Sequence, residues 1–211
     1  MALDMEEKLQ VDQLKTWFKT YGKGVLLSIF LVVVIFLSWQ RYQQMQERAI
    51  AHASLHYEHL LDAMAANDPV TAQQSAHYLI ERYPHSTYAK LATLLLARNA
   101  IANGAYPEAM EKLKWVMQQA SSPTLQAIAG LRYARLQLTM KQPEAALTSL
   151  QTIASADYLA PILEIKGDAF MALHNESAAK QAYQNALDIL PVSAMNRSLL
   201  QMKYNNIAID A

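Results

Sequence analysis

The sequence predicts an all-α protein in which a single N-terminal transmembrane helix precedes a solenoid of helical repeats. Two observations support this prediction: a nearly continuous apolar run close to the start, and a pattern of small and aromatic residues that recurs along the rest of the chain. The hydrophobic content of 53% is too high for a disordered protein. We therefore expect three parts: an N-terminal segment over 1–22, a transmembrane helix over 23–42 and a repeat domain over 43–211.

Composition argues against several classes of function. The 18 basic residues are balanced by 18 acidic residues, so no positive excess is available to attract nucleic acid. The absence of cysteine excludes disulfides, thiolate nucleophiles and cysteine metal sites. Only 5 glycines are present, and no glycine motif of the phosphate-binding, dinucleotide-binding or serine-hydrolase kind occurs. We therefore expect no nucleic-acid partner, no cofactor and no enzymatic activity.

The predicted transmembrane helix centres on residues 25–37, where Ser28 is the only residue that is not strongly apolar. Extended to 23–42, the segment has the number of residues, about 20, that crosses a hydrocarbon layer of roughly 30 Å. Its apolar side chains favour insertion by roughly 4–7 kcal/mol in total. One alternative is a buried core helix. Another is a cleaved signal peptide, but the small residues around Ala51 that could form a cleavage site lie too far downstream.

Basic residues on the two flanks predict the orientation of this helix. Lysines dominate the N-terminal flank and two arginines follow the helix: Lys8, Lys15, Lys19 and Lys23 stand against Arg41 and Arg48. This bias places the N-terminus in the cytoplasm and the residues from 43 onward across the membrane. In a bacterium the protein would be a single-pass inner-membrane protein with a periplasmic repeat domain and the lipid bilayer as a partner.

The repeat pattern is clearest near the C-terminus. Gly167 and Phe170 are followed by Ala179, Tyr183 and Pro191, which is the order of small, aromatic and closing proline residues typical of a tetratricopeptide repeat. Small and aliphatic residues occupy the equivalent places of two earlier units: Ala134, Ala146 and Leu150, and Ala97, Ala109 and Leu113. We expect about four units over 53–191 and a capping helix over 194–209, because a solenoid needs a closed end.

From end to end the sequence resembles the YfgM family, the ancillary subunits of the bacterial SecYEG translocon. Three features carry the resemblance besides the degenerate repeats: the segment from Lys15 to Lys23, the membrane helix closed by Trp39, and the tail from Gln201 to Ile207. The resemblance implies an inner-membrane protein with a periplasmic repeat domain. It also implies association with SecYEG and with the membrane-anchored chaperone PpiD, and assistance to secreted or membrane polypeptides in transit.

The repeat register predicts a partner-binding surface on the first helices of the units. Two apolar rows flank a row of charged residues: Leu94, Arg98 and Ile101 in the second unit, Leu131, Arg135 and Leu138 in the third, and Glu164, Asp168 and Met171 in the fourth. Such a groove would hold an extended or helical segment, with arginine forks meeting carbonyls or a carboxylate. The alternative is that Leu94 and Leu131 pack internally and that the arginines pair with acids of the array.

Two weaker patterns lie outside the groove. Gly24 and Ser28 form a small-x-x-x-small pair through which another membrane helix could approach, or they are simply tolerated in a lipid-facing helix. His52, His56 and His59 have helical spacing, but the neighbouring acids do not follow a zinc-protease pattern. We therefore interpret the histidines as solvated and expect no metal site.

The sequence features predict a non-enzymatic, membrane-anchored scaffold, and the resemblance implies that it lies beside the translocon, where periplasmic chaperones and nascent chains would interact through it. Two other functions stay open at this stage. The repeat domain could be a static assembly platform for another envelope complex, or it could carry an unrecognised hydrolase site.

Overall fold

The computed structural model describes residues 2–207, except for the side chains of 2–14, 16, 18, 20, 22, 25, 26 and 29. Over this range the regular structure is entirely helical, which confirms the all-α prediction. The helices are α1 Ala2–Ala65, α2 Pro69–Arg82, α3 Thr87–Ala102, α4 Tyr106–Gln119, α5 Pro123–Thr139, α6 Pro143–Gln151, α7 Leu159–Ala172, α8 Glu176–Ile189 and α9 Arg197–Asn205, with a short 3-10 turn at Ala156–Tyr158.

The chain divides into two compact parts, one up to Ala51 and one from His52 onward. In the part up to Ala51, helix α1 carries large apolar side chains that are exposed, including Phe30, Ile35 and Phe36. No helix contains a stretch long and apolar enough to cross a membrane when the described residues alone are considered. The predicted transmembrane helix over 23–42 includes Val25, Leu26 and Ile29, whose side chains lie outside the described residues, and it stays a prediction.

The part from His52 onward is an array of antiparallel helix pairs. The last turns of α1 pair with α2, and then α3 with α4, α5 with α6, and α7 with α8, so that every pair contributes small and aliphatic residues to a buried cluster. Ala97 and Ala134 are buried at the predicted close-approach positions, and Leu113 and Leu150 fill the space beside them. The predicted solenoid of helical repeats is therefore confirmed.

The turn inside every pair has the same backbone geometry. One residue adopts a positive φ, Asn67 in the first pair, Gly104 in the second, Lys141 in the third and His174 in the fourth. The amide of the next residue then donates back to a carbonyl five residues earlier, at 2.8–2.9 Å in each of the four turns. This is the Schellman arrangement that ends a helix and reverses the chain. Three of the four positions are not glycine, so the turns share geometry without sharing a residue type.

The fourth pair shows why its first helix needs a glycine. A Cβ atom at Gly167 would collide with the ring of Tyr183. The absence of that atom lets the ring lie between α7 and α8, where Tyr183 is only 3% exposed. The pairing of a small residue with an aromatic one, predicted from the repeat pattern, is confirmed here.

Helix α9 closes the C-terminal end of the array. Leu200 and Ile207 are buried against α7 and α8 in one apolar cluster with Tyr183 and Leu187. The guanidinium of Arg197 donates to the carbonyl oxygens of Leu187 and Leu190, both at 2.6 Å, and so caps the end of α8. The capping helix is shorter than predicted, because it begins at Arg197 and ends at Asn205, and Ile209 lies outside the described residues.

Candidate partner-binding surface

Two arginines stand at equivalent places in consecutive units, Arg98 on α3 and Arg135 on α5, and both are exposed. Neither side chain makes a hydrogen bond or an ion pair with any residue that the structure describes. Because an exposed guanidinium keeps five donors in a planar fork, each arginine can bind a carboxylate or a pair of carbonyl groups. The alternative, in which the arginines pair with acids of the array, is therefore not found among the residues that the structure describes.

The apolar residues beside this row are less accessible than the sequence pattern predicts. Leu94 is 6% exposed and Leu131 is 5% exposed, and each belongs to a core cluster. Ile101 and Leu138 are half-buried and pack against the same clusters. The assignment of Leu94 and Leu131 to a partner-facing row is therefore corrected: both leucines hold the helix pairs together, because the first helices bury that side against their neighbours.

Asp168, the equivalent of the two arginines in the fourth unit, is not available to a partner. Lys203 of α9 donates to both carboxylate oxygens of Asp168, at 2.8 and 2.9 Å, and to Glu164 at 2.9 Å. The Tyr183 hydroxyl also donates to Asp168, at 2.8 Å. Asp168 is therefore corrected from a binding residue to part of a polar clamp that ties the capping helix to the last unit. Met171, one turn further along α7, stays exposed.

The clamp shifts the ionisation of its members. Burial lowers the pKa of Lys203, but its hydrogen bonds to Asp168 and Glu164, together with their charges, outweigh burial and raise the pKa above the ordinary value of 10.5. Burial, followed by the hydrogen bond to Asp168, raises the pKa of Tyr183 far above its ordinary value of 10.0. The clamp thus holds a charged ammonium and a neutral phenol throughout the neutral range.

A cleft opens beside Arg98, and we call it the Arg98 cleft. It has a volume of about 530 Å³ and is formed by the last turns of α1, by α2 and α3, and by the start of α4. Leu95, Leu96 and Met64 contribute apolar surface, whereas polar side chains come from all sides: Gln73, His77, Asn99, Asn103, Glu108 and Lys112. Arg135 lies outside this cleft. A cleft of this size accommodates a few residues of an extended polypeptide.

The two weaker sequence patterns are the pair of Gly24 and Ser28 and the histidines of α1. The Ser28 hydroxyl donates to the carbonyl oxygen of Gly24 at 2.9 Å, so its hydrogen bond stays within α1. The ring of His56 contacts that of Tyr78 at a centroid distance of 4.2 Å with a tilt of 45°, and its centroid lies 6.3 Å from that of the His59 ring. Among the described residues, no group of three potential ligands could hold a metal ion. The helix contact at Gly24 and Ser28 stays a prediction.

Two polar features were missed by sequence reasoning. The clamp of Lys203 joins residues more than thirty positions apart in the chain, and the only signal was opposite charge on the tail and on the fourth unit. Lys90 is 3% exposed and donates to the carbonyl oxygen of Pro84 at 2.8 Å, which stabilises the turn between α2 and α3. A lone lysine in a helix carries no pattern that predicts such burial.

Comparison with known proteins agrees with this architecture. The tetratricopeptide repeat-like domain family matches residues 15–209. The ancillary SecYEG translocon subunit of Neisseria gonorrhoeae is 32% identical over 98% of this chain and all of its own length. The protein of the same name from Escherichia coli is 27% identical over 99% of this chain and all of its own length.

A solved structure supports the fold alone. The MamA 41-end structure from Desulfovibrio magneticus RS-1 superposes with a TM-score of 0.54 at 16% identity, over 74% of this chain and 92% of that one. The full-length matches above carry the family assignment. The chain belongs to the tetratricopeptide repeat-like family and to the YfgM family of proteins that are named ancillary SecYEG translocon subunits.

Proposed function

We propose that the protein is a non-enzymatic, membrane-anchored partner of the SecYEG translocon that presents its repeat domain to polypeptides and chaperones on the periplasmic side. The observation that carries this proposal is similarity over the full length to relatives named ancillary SecYEG translocon subunit. Because the match covers 98% or more of this chain in both relatives, it includes the N-terminal apolar run as well as the repeats.

The anchor is proposed to be the helix over 23–42. Large apolar side chains along this part of α1 are 44–65% exposed, among them Leu27, Phe30 and Phe36. Such a continuous exposed surface is unfavourable in water and suits hydrocarbon. The lysine bias of the N-terminal flank supports a cytoplasmic N-terminus, so the repeat domain would stand in the periplasm.

The repeat domain is proposed to bind chains in transit, or a PpiD-type chaperone, through the row of Arg98 and Arg135. Both side chains are exposed and have no partner among the described residues. The membrane anchor contributes to this function by confinement, because a tethered domain meets its membrane neighbours at high effective concentration. Contacts that are individually weak can therefore be enough to bind a membrane partner.

Topology is tested by fusing alkaline phosphatase, which is active only outside the cytosol, after Ala211, and by washing membranes at alkaline pH. We expect an active fusion that stays in the membrane pellet. An inactive fusion, or a chain released by the wash, would contradict the proposed anchor and orientation. A fusion to the N-terminus serves as the matched control and should be inactive.

A second candidate is a static assembly platform that joins membrane partners without binding unfolded chains. The burial of Leu94 and Leu131 favours it, because the row then offers less apolar surface to a polypeptide. Recovery of the chain from solubilised membranes separates the two candidates. Translocon components together with nascent polypeptide would support the first, and translocon or chaperone partners without any nascent polypeptide would support the second.

A further inference from the structure

We propose that Lys15, Lys19 and Lys23 bind the headgroups of anionic phospholipids at the N-terminal edge of the membrane. We call these three residues the lysine stripe. The inference rests on the proposed anchor, since it places the stripe where helix α1 enters the bilayer. The proposed function uses lysines of this flank only to orient the helix. The inference goes further, because it assigns them a ligand of defined chemistry, a phosphate ester with a net negative charge.

The lysine stripe follows one side of α1. Successive lysines are four residues apart, and a helix with 3.6 residues per turn keeps such residues on one side. All three side chains are exposed. Because each residue advances the helix by 1.5 Å, Lys19 lies about 6 Å outside Lys23, where the proposed span begins. The headgroup layer of a bilayer is about 5–8 Å thick on each face, so both ammonium groups reach the lipid phosphates when Lys23 extends its side chain outward.

An aromatic pair on α1 lies at the same depth as the lysine stripe. Trp17 and Tyr21 stand two residues away from neighbouring lysines, which in a helix is the opposite side. Their rings are exposed, and the ring centroids are 6.1 Å apart. Exposed tryptophan and tyrosine rings are typical of the level of the headgroups. The pair therefore supports, independently of charge, a headgroup location for this part of the helix.

The charge of the lysine stripe is not compensated by its neighbours in the chain. The three lysines are the only charged residues between Asp12 and Arg41. The acids of the N-terminal segment all precede the stripe: Asp4, Glu6, Glu7 and Asp12. Asp12 is one turn from Lys15 and offsets at most that one charge, so Lys19 and Lys23 provide two positive charges at the level of the phosphates. A site of this kind favours an anionic headgroup over a zwitterionic one.

The flank on the other side of the proposed span provides a matched control. It also carries two cations, Arg41 and Arg48, and both are exposed. Glu47 precedes Arg48 directly, so residues 41–48 have a net charge of only +1. Replacing either pair of cations removes two positive charges from the chain. A general effect of net charge would therefore be the same for both pairs, whereas an effect of the lysine stripe belongs to the lysines.

The inference is tested on the full chain, purified in a nonionic detergent. The chain is mixed with equal amounts of phosphatidylglycerol and phosphatidylcholine that have identical acyl chains, and it is then repurified. Mass spectrometry counts the retained molecules of each lipid, and the ratio of the two counts measures headgroup preference. The variants are Lys19→Gln/Lys23→Gln, Lys19→Arg/Lys23→Arg and the control Arg41→Gln/Arg48→Gln.

We expect wild type to retain phosphatidylglycerol over phosphatidylcholine at a ratio of at least about 5, since one lysine near an anionic surface strengthens attraction about fivefold. Lys19→Gln/Lys23→Gln should lower the ratio below about 2. The lysine-to-arginine variant keeps both charges, and it should stay within about 1.5-fold of wild type, as should the control. The preference should also fall when the ionic strength is raised from about 0.05 M to about 0.5 M, because salt screens the attraction.

The inference is overturned if both lipids are retained equally, if the lysine-to-glutamine variant and the control lower the ratio to the same degree, or if salt leaves the preference unchanged. Inorganic phosphate, added at constant ionic strength, should not displace the anionic lipid, and displacement would assign the lysine stripe to a soluble anion instead. These outcomes leave the proposed function standing, because the topology test and the recovery of translocon components do not depend on headgroup preference. A chain that retains neither lipid would contradict the anchor itself, and the inference would fall with it.

Discussion

The same register position of the repeat serves two different purposes along the array. In the second and third units it carries Arg98 and Arg135, which are exposed and have no partner in the described part of the chain. In the fourth unit it carries Asp168, which accepts hydrogen bonds from Lys203 and from Tyr183. The side chain at this position therefore has no partner among the described residues in the middle of the array, and it is held by hydrogen bonds at the end of the array.

The difference follows from what a solenoid needs at its ends. An internal unit buries its apolar faces against two neighbours, whereas the last unit has a neighbour on one side only. Helix α9 covers the other side, and it must be held there. The polar clamp and the buried Leu200 do so. A charged residue in a repeat register is thus a binding candidate only where no capping element reaches it.

The largest expected effect is a loss of unfolding free energy when Gly167, in the last helix pair, is replaced. Gly167→Ala would place a methyl group in the space of the Tyr183 ring, and overpacking of this kind costs about 3 kcal/mol of unfolding free energy. Chemical denaturation followed by circular dichroism measures the loss. In Gly130→Ala, the new Cβ would meet the end of the Ile153 side chain at 3.0 Å. That variant should lose clearly less stability, and equal losses would contradict the role given to Gly167.

A smaller loss is expected when the cation of the clamp is removed. Lys203→Met leaves Glu164 and Asp168 close together without their shared ammonium, and the loss should be about 2 kcal/mol of unfolding free energy, given the partial exposure of the site. Arg135→Met, the control at a free arginine, should change stability by less than about 0.5 kcal/mol. If both variants lost the same unfolding free energy, the contrast between the hydrogen-bonded clamp and the free arginine would be wrong.

The clamp also predicts a loss of stability at alkaline pH. Lys203 and Tyr183 both have a pKa raised in the folded state, so their contribution is complete below their ordinary values of 10.5 and 10.0 and is lost as the pH rises above them. The unfolding free energy of wild type should be flat from pH 7 to about pH 9.5 and should fall above pH 10, by up to about 1.4 kcal/mol per pH unit for each group. Tyr183→Phe should fall less steeply. An identical slope in the variant would contradict this assignment.

The smallest expected effect is on stability at the free arginines. Arg98→Ala and Arg135→Ala remove side chains without partners, and each should leave the midpoint of thermal unfolding within about 2 °C of wild type. Differential scanning calorimetry checks this. A markedly lower midpoint in either variant would indicate that the arginine makes a structural contact, and it would count against a binding role for that residue.

Local pattern was enough to predict the helix pairs and the packing of a small residue against a ring in the fourth pair. The spacing of Gly167 and Tyr183 predicted that a ring packs against a glycine, because both residues lie within one repeat. The turns were only partly predictable. Asn67, Lys141 and His174 adopt a positive φ that sequence reasoning assigns to glycine, and the helix termini hold them there through Schellman hydrogen bonds.

The site was harder to predict because its details depend on distant parts of the chain. The burial of Leu94 and Leu131 depends on how neighbouring units stack, which a register within one helix does not contain. The clamp on Asp168 depends on where α9 folds back. Arg98 and Arg135 are exposed, as the register within their own helices predicted.

Photo-crosslinking in intact bacterial membranes tests the central claim most directly. A photoreactive residue at Ile35 probes the proposed anchor, one at Arg135 probes the row of arginines, and one at Glu144, exposed on α6 of the same unit, serves as the control. We predict translocon adducts from Ile35, adducts with polypeptides in transit from Arg135, and neither from Glu144. Adducts of equal yield from Arg135 and Glu144, or no translocon adduct from Ile35, would contradict an anchored scaffold that acts beside the translocon.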